Sequence, residues 1–237
     1  MSAYFELRKA VADGNQALAV AGHTDMVWGH ASVRDPGGSG VWMKAAGWGF
    51  DEISPDEEHV VHVSDTGDVL NGTGKRHIEF YIHTELLAAR PELGAVVHTH
   101  SVPAATFASL ETPLRPVTHY ATPFLEPGGD IPRFTATSDL ISTPELGQQL
   151  AEAIGSANGV LIPGHGIVTV GKSIAHAVMF AVMLDRACYA QLEALAAGGP
   201  ATWSSDEDVA SKRRMWEGDQ SVLGYEYLVR QAEKARR

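Results

Sequence analysis

The chain has 237 residues, 44% of them hydrophobic and 20% charged, which is ordinary for a globular protein able to bury a sizeable core. Its formal net charge of −11 argues against nucleic acid or an anionic membrane as the main partner. The single cysteine, Cys188, excludes an internal disulfide, and the sequence lacks the run of about 18 apolar residues that predicts a membrane span. The acidic N-terminus does not resemble a secretory signal, so we expect a cytoplasmic protein.

The first 70 residues predict one helix followed by a group of strands. Over residues 3–21, Leu7, Val11 and Leu18 recur on one side, which indicates a helix. Between residues 25 and 68, short apolar runs are broken by glycine, and this pattern is typical of antiparallel strands and turns.

The central segment predicts a helix, a strand and a second helix. The first helix should cover residues 79–90 and end before Pro91, which disfavours helix in the residue ahead of it. An apolar strand is expected over residues 94–100. Ser101 then has the character of a helix cap, with Pro103 tolerated in the first turn.

The next segment predicts irregular structure, a helix and a strand pair. Residues 130–140 indicate a loop and an edge strand. Thr143 should cap a helix that has Pro144 at its first position. Two apolar runs, 159–163 and 167–170, then predict a pair of strands joined through a Gly-His-Gly turn.

The last part of the chain is helical in pattern. A long helix is predicted from about residue 173 to 197, and a tail from about residue 203 carries two further helical segments, 206–216 and 224–236. Since strands alternate with helices through most of the chain, we predict an α/β layered fold and a single domain over residues 1–237.

Three histidines have the character of metal ligands. His98 and His100 are two apart in the predicted strand, so their side chains point to the same side and can reach one ion. His165 lies between two glycines, which allow close backbone approach. Three histidines leave an open coordination position, as catalytic metal sites require. Taken alone, the His98 and His100 pair is better explained as ordinary polar residues at a strand end, and His165 as a turn residue.

Glu79 is the candidate acid or base. It begins the helix that leads into the strand of His98, so the chain can fold back and bring its carboxylate near the ion. From spacing alone, a solvated glutamate in a first helical turn is the better explanation of Glu79.

Four motifs agree in order and spacing with a known family. The segments are E-x-x-I-H at residues 79–83, GAVVHTHS at 94–101, GVLIPGHGIVTVG at 159–171 and GHASVR at 29–34. Together they resemble the class II aldolase/adducin family over about residues 5–200. The resemblance implies a three-layer α/β/α domain with a central, mainly antiparallel sheet, and a homotetramer with sites at subunit interfaces.

The resemblance also assigns roles to the candidate residues. It implies one divalent ion per subunit (zinc, manganese, iron or cobalt) held by His98, His100 and His165, with Glu79 as acid and base. His83 is interpreted as a helix-face residue that orients its neighbours. Four further histidines are interpreted as structural or exposed, namely His59, His62, His119 and His176.

The sequence departs from the sugar-phosphate aldolases of the family at three loops. Those enzymes hold phosphate with a Gly-Asn, a Ser/Thr-Gly and a Ser-Ser pair, whereas this chain has Gly29-His30, Ala46-Gly47 and His77-Ile78. A phosphate dianion needs several strong donors, so these replacements argue against phosphate recognition. The GHxSxR form resembles instead the branch that includes decarboxylases of hydroxylated aromatic acids.

The candidate substrate contacts follow from this resemblance. A carboxylate or ring hydroxyl is expected to contact His30, Ser32, Lys44, Arg76 and His77. For Lys44 and Arg76, a solvated surface charge is an equally weighted alternative. In the tail, Tyr225 or Tyr227 is expected to close the site of a neighbouring subunit, although a plain packing role is equally compatible with the sequence.

The leading functional hypothesis is a metal-dependent decarboxylase of an ortho-hydroxylated aromatic dicarboxylate. A 3,4-dihydroxyphthalate-like acid giving protocatechuate is the first choice of substrate, and a pyridine dicarboxylate the second. Two alternatives stay open: an aldolase acting on an unphosphorylated or phosphorylated hydroxy-carbonyl compound, and a metal-free interaction module like the head of adducin.

Overall fold

The computed structural model describes residues 3–38, 40–126 and 128–236 of the chain. Its strands, in chain order, are β1 (His30–Arg34), β2 (Val41–Lys44), β3 (Val60–Val63), β4 (Val69–Asn71), β5 (Ala95–Thr99), β6 (Gly159–Ile162) and β7 (Gly166–Gly171). They form a seven-stranded sheet in the order β4-β3-β2-β1-β5-β7-β6, and every neighbouring pair is antiparallel.

Helices connect the strands and cover the sheet. They are α1 (Ala3–Val20), α2 (Tyr81–Ala89), α3 (Val102–Ala108), α4 (Pro144–Ile154), α5 (Ile174–Ala196), α6 (Asp206–Glu217) and α7 (Asp219–Ala235). Short 3-10 helices lie at Phe50–Glu52 and His119–Phe124. Among the described residues, no helix has both the length and the apolar character needed to cross a membrane.

The sheet is the middle layer of three. Alternate residues of β5 pack into different cores: Ala95 and Val97 face the core built with α1, α3 and α5, whereas Val96 faces the core built with α2 and α4. A sheet with two apolar faces needs a helical layer on each. The predicted three-layer α/β/α architecture with an antiparallel central sheet is therefore confirmed.

Most predicted elements and both predicted caps are present. The Ser101 hydroxyl accepts a hydrogen bond from the Ala104 amide, and the Thr143 hydroxyl accepts one from Leu146. Cys188 is buried, as expected.

One predicted strand and the starts of two helices differ from the prediction. Residues 130–140 form no strand of the described sheet; only an isolated parallel bridge joins Arg133 to Leu161, because Pro132 just before it lacks an amide donor. The last helix begins at Asp219 rather than residue 224. Glu79 lies in the turn before α2, which begins at Tyr81.

The sheet order explains where a site can form. β5 lies between β1 and β7, and His98 of β5 is paired with His30 on one side and with Val168 on the other. The end of β5, the start of β1 and the turn before β7 therefore meet at the same end of these central strands, on the face covered by α2.

Candidate metal centre

Four side chains converge at this end of the central strands. Glu79, His98, His100 and His165 each offer one ligand atom, and these atoms all lie within 4.8 Å of one another. His98 and His100 come from the end of β5, His165 from the turn before β7, and Glu79 from the turn before α2. The structure thus brings together the four residues that the sequence singled out.

Glycines allow the turn of His165 to approach β5. A Cβ atom at Gly166 would lie only 2.3 Å from the carbonyl oxygen of Thr99, so only glycine fits there. Gly164 has a φ of +73°, a left-handed conformation that other residues adopt with strain. Gly166 therefore allows the turn of His165 to approach β5, and Gly164 adopts the turn conformation without strain.

Hydrogen bonds fix the protons of two of these histidines. The Nδ1 atom of His98 donates to the Ile167 carbonyl oxygen at 2.9 Å, and the Nδ1 atom of His100 donates to the Asp25 carboxylate at 2.7 Å. A neutral imidazole carries one proton, so in that form the Nε2 atom of either ring has a lone pair. Outer partners of this kind are typical of metal-ligating histidines.

The Nε2 atoms of His98 and His100 face each other, and their spacing bears on whether a cation fits between them. The Nε2 atoms of His98 and His100 are only 3.2 Å apart. Burial holds the pKa of His98 well below its ordinary value, so its Nε2 atom keeps a lone pair. Burial likewise lowers the pKa of His165 to about 4. Facing lone pairs on neutral imidazoles are the donor set that a divalent transition metal prefers, so the residues fit such an ion.

Glu79 lies beside this donor set with one oxygen already engaged. Its Oε1 atom accepts a hydrogen bond from the Ile141 amide at 2.9 Å and lies 3.7 Å from His165 Nε2. Its Oε2 atom lies 3.8 Å from His98 Nε2. Burial raises the pKa of Glu79, and the Ile141 amide opposes that shift in part. The raised pKa favours a carboxyl group that can deliver a proton.

A second group of buried polar side chains adjoins the first. The ring of His30 packs against the rings of His77 and His98, with centroids 4.4 and 5.2 Å away. His83 of α2 bonds to His30 at 2.6 Å and to the Ser32 hydroxyl at 2.6 Å. His83 therefore orients its neighbours, in keeping with its sequence interpretation.

Lys44 completes this wall of imidazoles. Its Nζ atom donates to the Val27 carbonyl at 2.9 Å and lies 3.2 Å from His77 Nε2. Burial lowers the pKa of Lys44 to about 7. Burial and the neighbouring Lys44 lower the pKa of His77 to about 3. We call His30, His77 and Lys44 the polar wall; its side chains are polar and carry little formal charge at neutral pH.

Two predicted substrate contacts are engaged elsewhere in the chain. The Arg76 guanidinium donates to the carbonyl oxygens of Gly67 and His77, and stacks over Phe80. Tyr225 packs against the core on the α1 side of the sheet, where burial raises the pKa of its hydroxyl. A contact between Tyr225 and a neighbouring subunit stays a prediction.

An open cleft of about 290 Å³ gives access to the metal ligands. It is lined by Trp28, His100, Ser138, Asp139, Leu140, Gly164 and His165. Trp28 is 51% exposed and Ile78 is 56% exposed, so apolar surface is available near the ligands. The sequence interpretation missed Asp25 and the loop of residues 138–141. Both are distant in sequence from the residues they contact, and no local pattern connects them.

Comparison with known proteins identifies the family. The profile described as Class II Aldolase and Adducin N-terminal domain matches residues 9–192, well over half of the chain. The chain belongs to this family. The resemblance inferred from the four motifs is thereby confirmed, and class II aldolases use a divalent metal.

Relatives in this family include decarboxylases and an aldolase. Decarboxylase NovR of Streptomyces niveus is 31% identical over 201 residues, which cover 84% of this chain and 72% of the relative. The 3,4-dihydroxyphthalate decarboxylase of Arthrobacter keyseri is 29% identical over 217 residues, covering 86% and 84% of the two chains. A 5-methylthioribulose-1-phosphate/5-deoxyribulose-1-phosphate aldolase of Rhodospirillum rubrum is 27% identical over 201 residues, covering 85% and 87%. These relatives support a lyase.

Solved structures of the class II aldolase fold superimpose over nearly the whole chain. An aldolase II superfamily protein from Pseudomonas syringae has a TM-score of 0.84 at 24% identity, covering 99% of this chain and 95% of the other. The L-fuculose 1-phosphate aldolase of Glaciozyma antarctica has a TM-score of 0.81 at 25% identity, covering 98% and 90%. The match confirms the fold class.

Proposed function

We propose that this family member is a metal-dependent decarboxylase of an ortho-hydroxylated aromatic dicarboxylate, acting in aromatic catabolism. A 3,4-dihydroxyphthalate-like acid is the leading substrate, with a protocatechuate-like product. The observation that carries the proposal is the polar wall of His30, His77 and Lys44 beside the four-residue donor set.

The charge of the polar wall favours a carboxylate over a phosphate dianion. Burial keeps the imidazoles of His30 and His77 neutral near pH 7, and Lys44 titrates at about that pH. The wall therefore offers polar hydrogen-bonding groups but at most about one positive charge. Phosphate sites generally combine several strong donors with charge compensation for a dianion, whereas a carboxylate needs less.

Glu79 is suited to supply the proton that replaces the carboxyl group. Because Oε1 is held by the Ile141 amide, Oε2 is the oxygen free to carry and transfer a proton. The raised pKa keeps a larger fraction of the carboxyl protonated near neutral pH. We propose that Glu79 donates this proton to the ring carbon from which carbon dioxide departs and regains one from solvent.

A divalent ion bound to the donor set would supply the electron sink. A divalent ion held by His98, His100 and His165 would act as a Lewis acid and stabilise negative charge on the substrate's ring oxygen as carbon dioxide leaves. The outer hydrogen bonds of His98 and His100 hold their ring planes, so little reorganisation is needed when substrate binds. The ring would pack against the exposed side chains of Trp28 and Ile78.

Carbon dioxide release over a panel of ring acids tests the proposal. We expect release from 3,4-dihydroxyphthalate and none from phthalate, which lacks the hydroxyl beside the carboxylate and so has no electron sink. A pyridine dicarboxylate belongs in the same panel. Ketose phosphates should be left intact in a parallel retro-aldol assay. Cleavage of a ketose phosphate, with no carbon dioxide from any ring acid, would overturn the proposal.

An aldolase is the second candidate because an aldolase relative covers 85% of the chain at 27% identity. Aldol cleavage and decarboxylation both leave an electron pair on carbon next to an oxygen that a metal can polarise, so the donor set serves either reaction. A metal-free interaction module is the third candidate. It predicts purified protein without metal and without turnover in both assays.

We also propose a cytoplasmic homotetramer with sites at subunit interfaces. In that assembly Tyr225 of α7 would lie near the site of a neighbouring subunit. Light scattering at micromolar concentration should give a mass of about four chains, and a monomer would contradict the proposed assembly.

A further inference from the structure

A buried hydrogen-bonded chain leads from the interior of the protein to the polar wall. Ser32 Oγ lies 2.6 Å from His83 Nδ1, and His83 Nε2 lies 2.6 Å from His30 Nδ1. All three side chains are at most 1% exposed. Two come from alternate positions of β1 and the third comes from α2, which covers that face of the sheet.

We infer that Ser32 and His83 are positioning residues that hold His30 in one tautomer, with its proton on Nε2, so that His30 presents an N–H donor to the substrate. The inference rests on the proposed function only in taking the acceptor to be a substrate carboxylate or phenolate oxygen. It also changes the expectation for Ser32, which acts through His83 instead of touching substrate.

The hydrogen bonds that join Ser32, His83 and His30 can run in only two directions. His30 and His83 are at most 1% exposed, and the hydrogen bonds described for their rings involve no carboxylate, so both rings are neutral because an unpaired buried charge is costly. A neutral imidazole has one N–H donor and one lone pair. If Ser32 donates to His83, then His83 donates to His30 Nδ1, and His30 carries its proton on Nε2. If every bond is reversed, His30 carries its proton on Nδ1 and turns a lone pair toward the site.

The Ser32 hydroxyl decides between the two directions. Within the described chain, His83 is the one hydrogen-bond partner of Ser32 Oγ. In the reversed direction the buried hydroxyl hydrogen would have no acceptor, and an unsatisfied buried donor is costly. His30 Nε2, at the other end, is not among the polar atoms sealed from solvent without a partner. Solvent or substrate can therefore accept a proton from His30 Nε2 or donate one to it. The Ser32 hydroxyl, at the buried end, determines the direction of the hydrogen bonds.

The fixed donor has a consequence for substrate choice. An N–H group on His30 binds the oxygen of an anion, whereas a lone pair at the same place would repel it. A carboxylate therefore gains a hydrogen bond that needs no rearrangement of the wall. Removing Ser32 or His83 from this hydrogen-bonded series should weaken substrate binding more than it slows the chemical step.

Nitrogen NMR of zinc-loaded, ¹⁵N-histidine-labelled protein tests the tautomer directly. We expect His30 to show a protonated Nε2 and a bare Nδ1, with the same pattern in His83. A protonated Nδ1 on His30 would overturn the inference. This measurement uses the wild-type protein and needs no substrate, so a correct tautomer without carbon dioxide release would refute the proposed function alone.

Ser32→Ala tests the positioning role. We expect both tautomers of His30 in its spectrum and a KM for 3,4-dihydroxyphthalate raised about tenfold, with kcat changed less than about threefold. The matched control is Thr169→Val, which removes another fully buried hydroxyl, one that donates to the Ala177 carbonyl on the opposite side of the sheet. An unchanged tautomer and KM in Ser32→Ala, or an equal rise in the control, would overturn the role.

Discussion

Asp25→Ala should weaken metal binding although Asp25 is not a candidate ligand. Its carboxylate accepts the Nδ1 proton of His100 at 2.7 Å and so holds the Nε2 lone pair toward the other ligands. Loss of an outer partner of a metal-bound histidine typically costs about 10–100-fold in affinity. The low end applies here, because the side chains of His100 and Asp25 are 22% and 31% exposed and water can replace the carboxylate.

We therefore expect about a tenfold loss of affinity, or about 1.4 kcal/mol. His98 keeps its own outer bond to the Ile167 carbonyl, so the site should not collapse. Competition for zinc against a chromophoric chelator measures the affinity. The control is Asp65→Ala, which removes an exposed aspartate from the turn between β3 and β4. An affinity within twofold of wild type in Asp25→Ala would refute this account of how His100 is oriented.

Three further predictions address the ligands, the proton donor and the buried lysine. His165→Ala should lose the ion in metal analysis, and full occupancy would contradict its ligand role. Glu79→Gln should keep the ion but lose about 10²–10⁴-fold in turnover; near-normal turnover would make Glu79 structural. Burial lowers the pKa of Lys44 from 10.5 to about 7. Between pH 7 and pH 10.5, Lys44 is therefore protonated in the unfolded protein and neutral in the folded protein. Wild-type stability should thus gain up to about 1.4 kcal/mol per pH unit over that window, and Lys44→Met should lack this gain in urea unfolding at pH 7 and 9. Parallel pH profiles would contradict it.

The histidine cluster that could hold a metal ion was predictable from the sequence because its signals are local. Strand alternation places His98 and His100 on one side, and glycines flank His165 where the backbone must come close to β5. Caps at Ser101 and Thr143 were predictable for the same reason, since a helix start depends on a few adjacent residues.

The orienting contacts could not be found in this way because they join distant segments. Asp25 meets His100 across 75 residues, and the Ile141 amide meets Glu79 across 62. The second contact uses a backbone amide, which every residue other than proline has, so no residue type marks it. Which amide faces Glu79 depends on the path of the irregular loop before α4, and this is also the region where an edge strand was wrongly predicted.

The electrostatics of the site follow from burial more than from the charge of the chain. A net charge of −11 gives no long-range attraction for an anionic ring acid, so recognition has to act at contact distance. Burial lowers the pKa of His98 and of His165 and raises the pKa of Glu79. Burial therefore favours both neutral imidazoles, which have a free lone pair, and a protonated carboxyl group. The same burial makes each hydrogen bond of the polar wall directional, because a neutral imidazole can donate from only one nitrogen. A site of this kind distinguishes substrates by where their oxygens lie, and a change in one buried hydroxyl, such as that of Ser32, can reach the substrate through two imidazole rings.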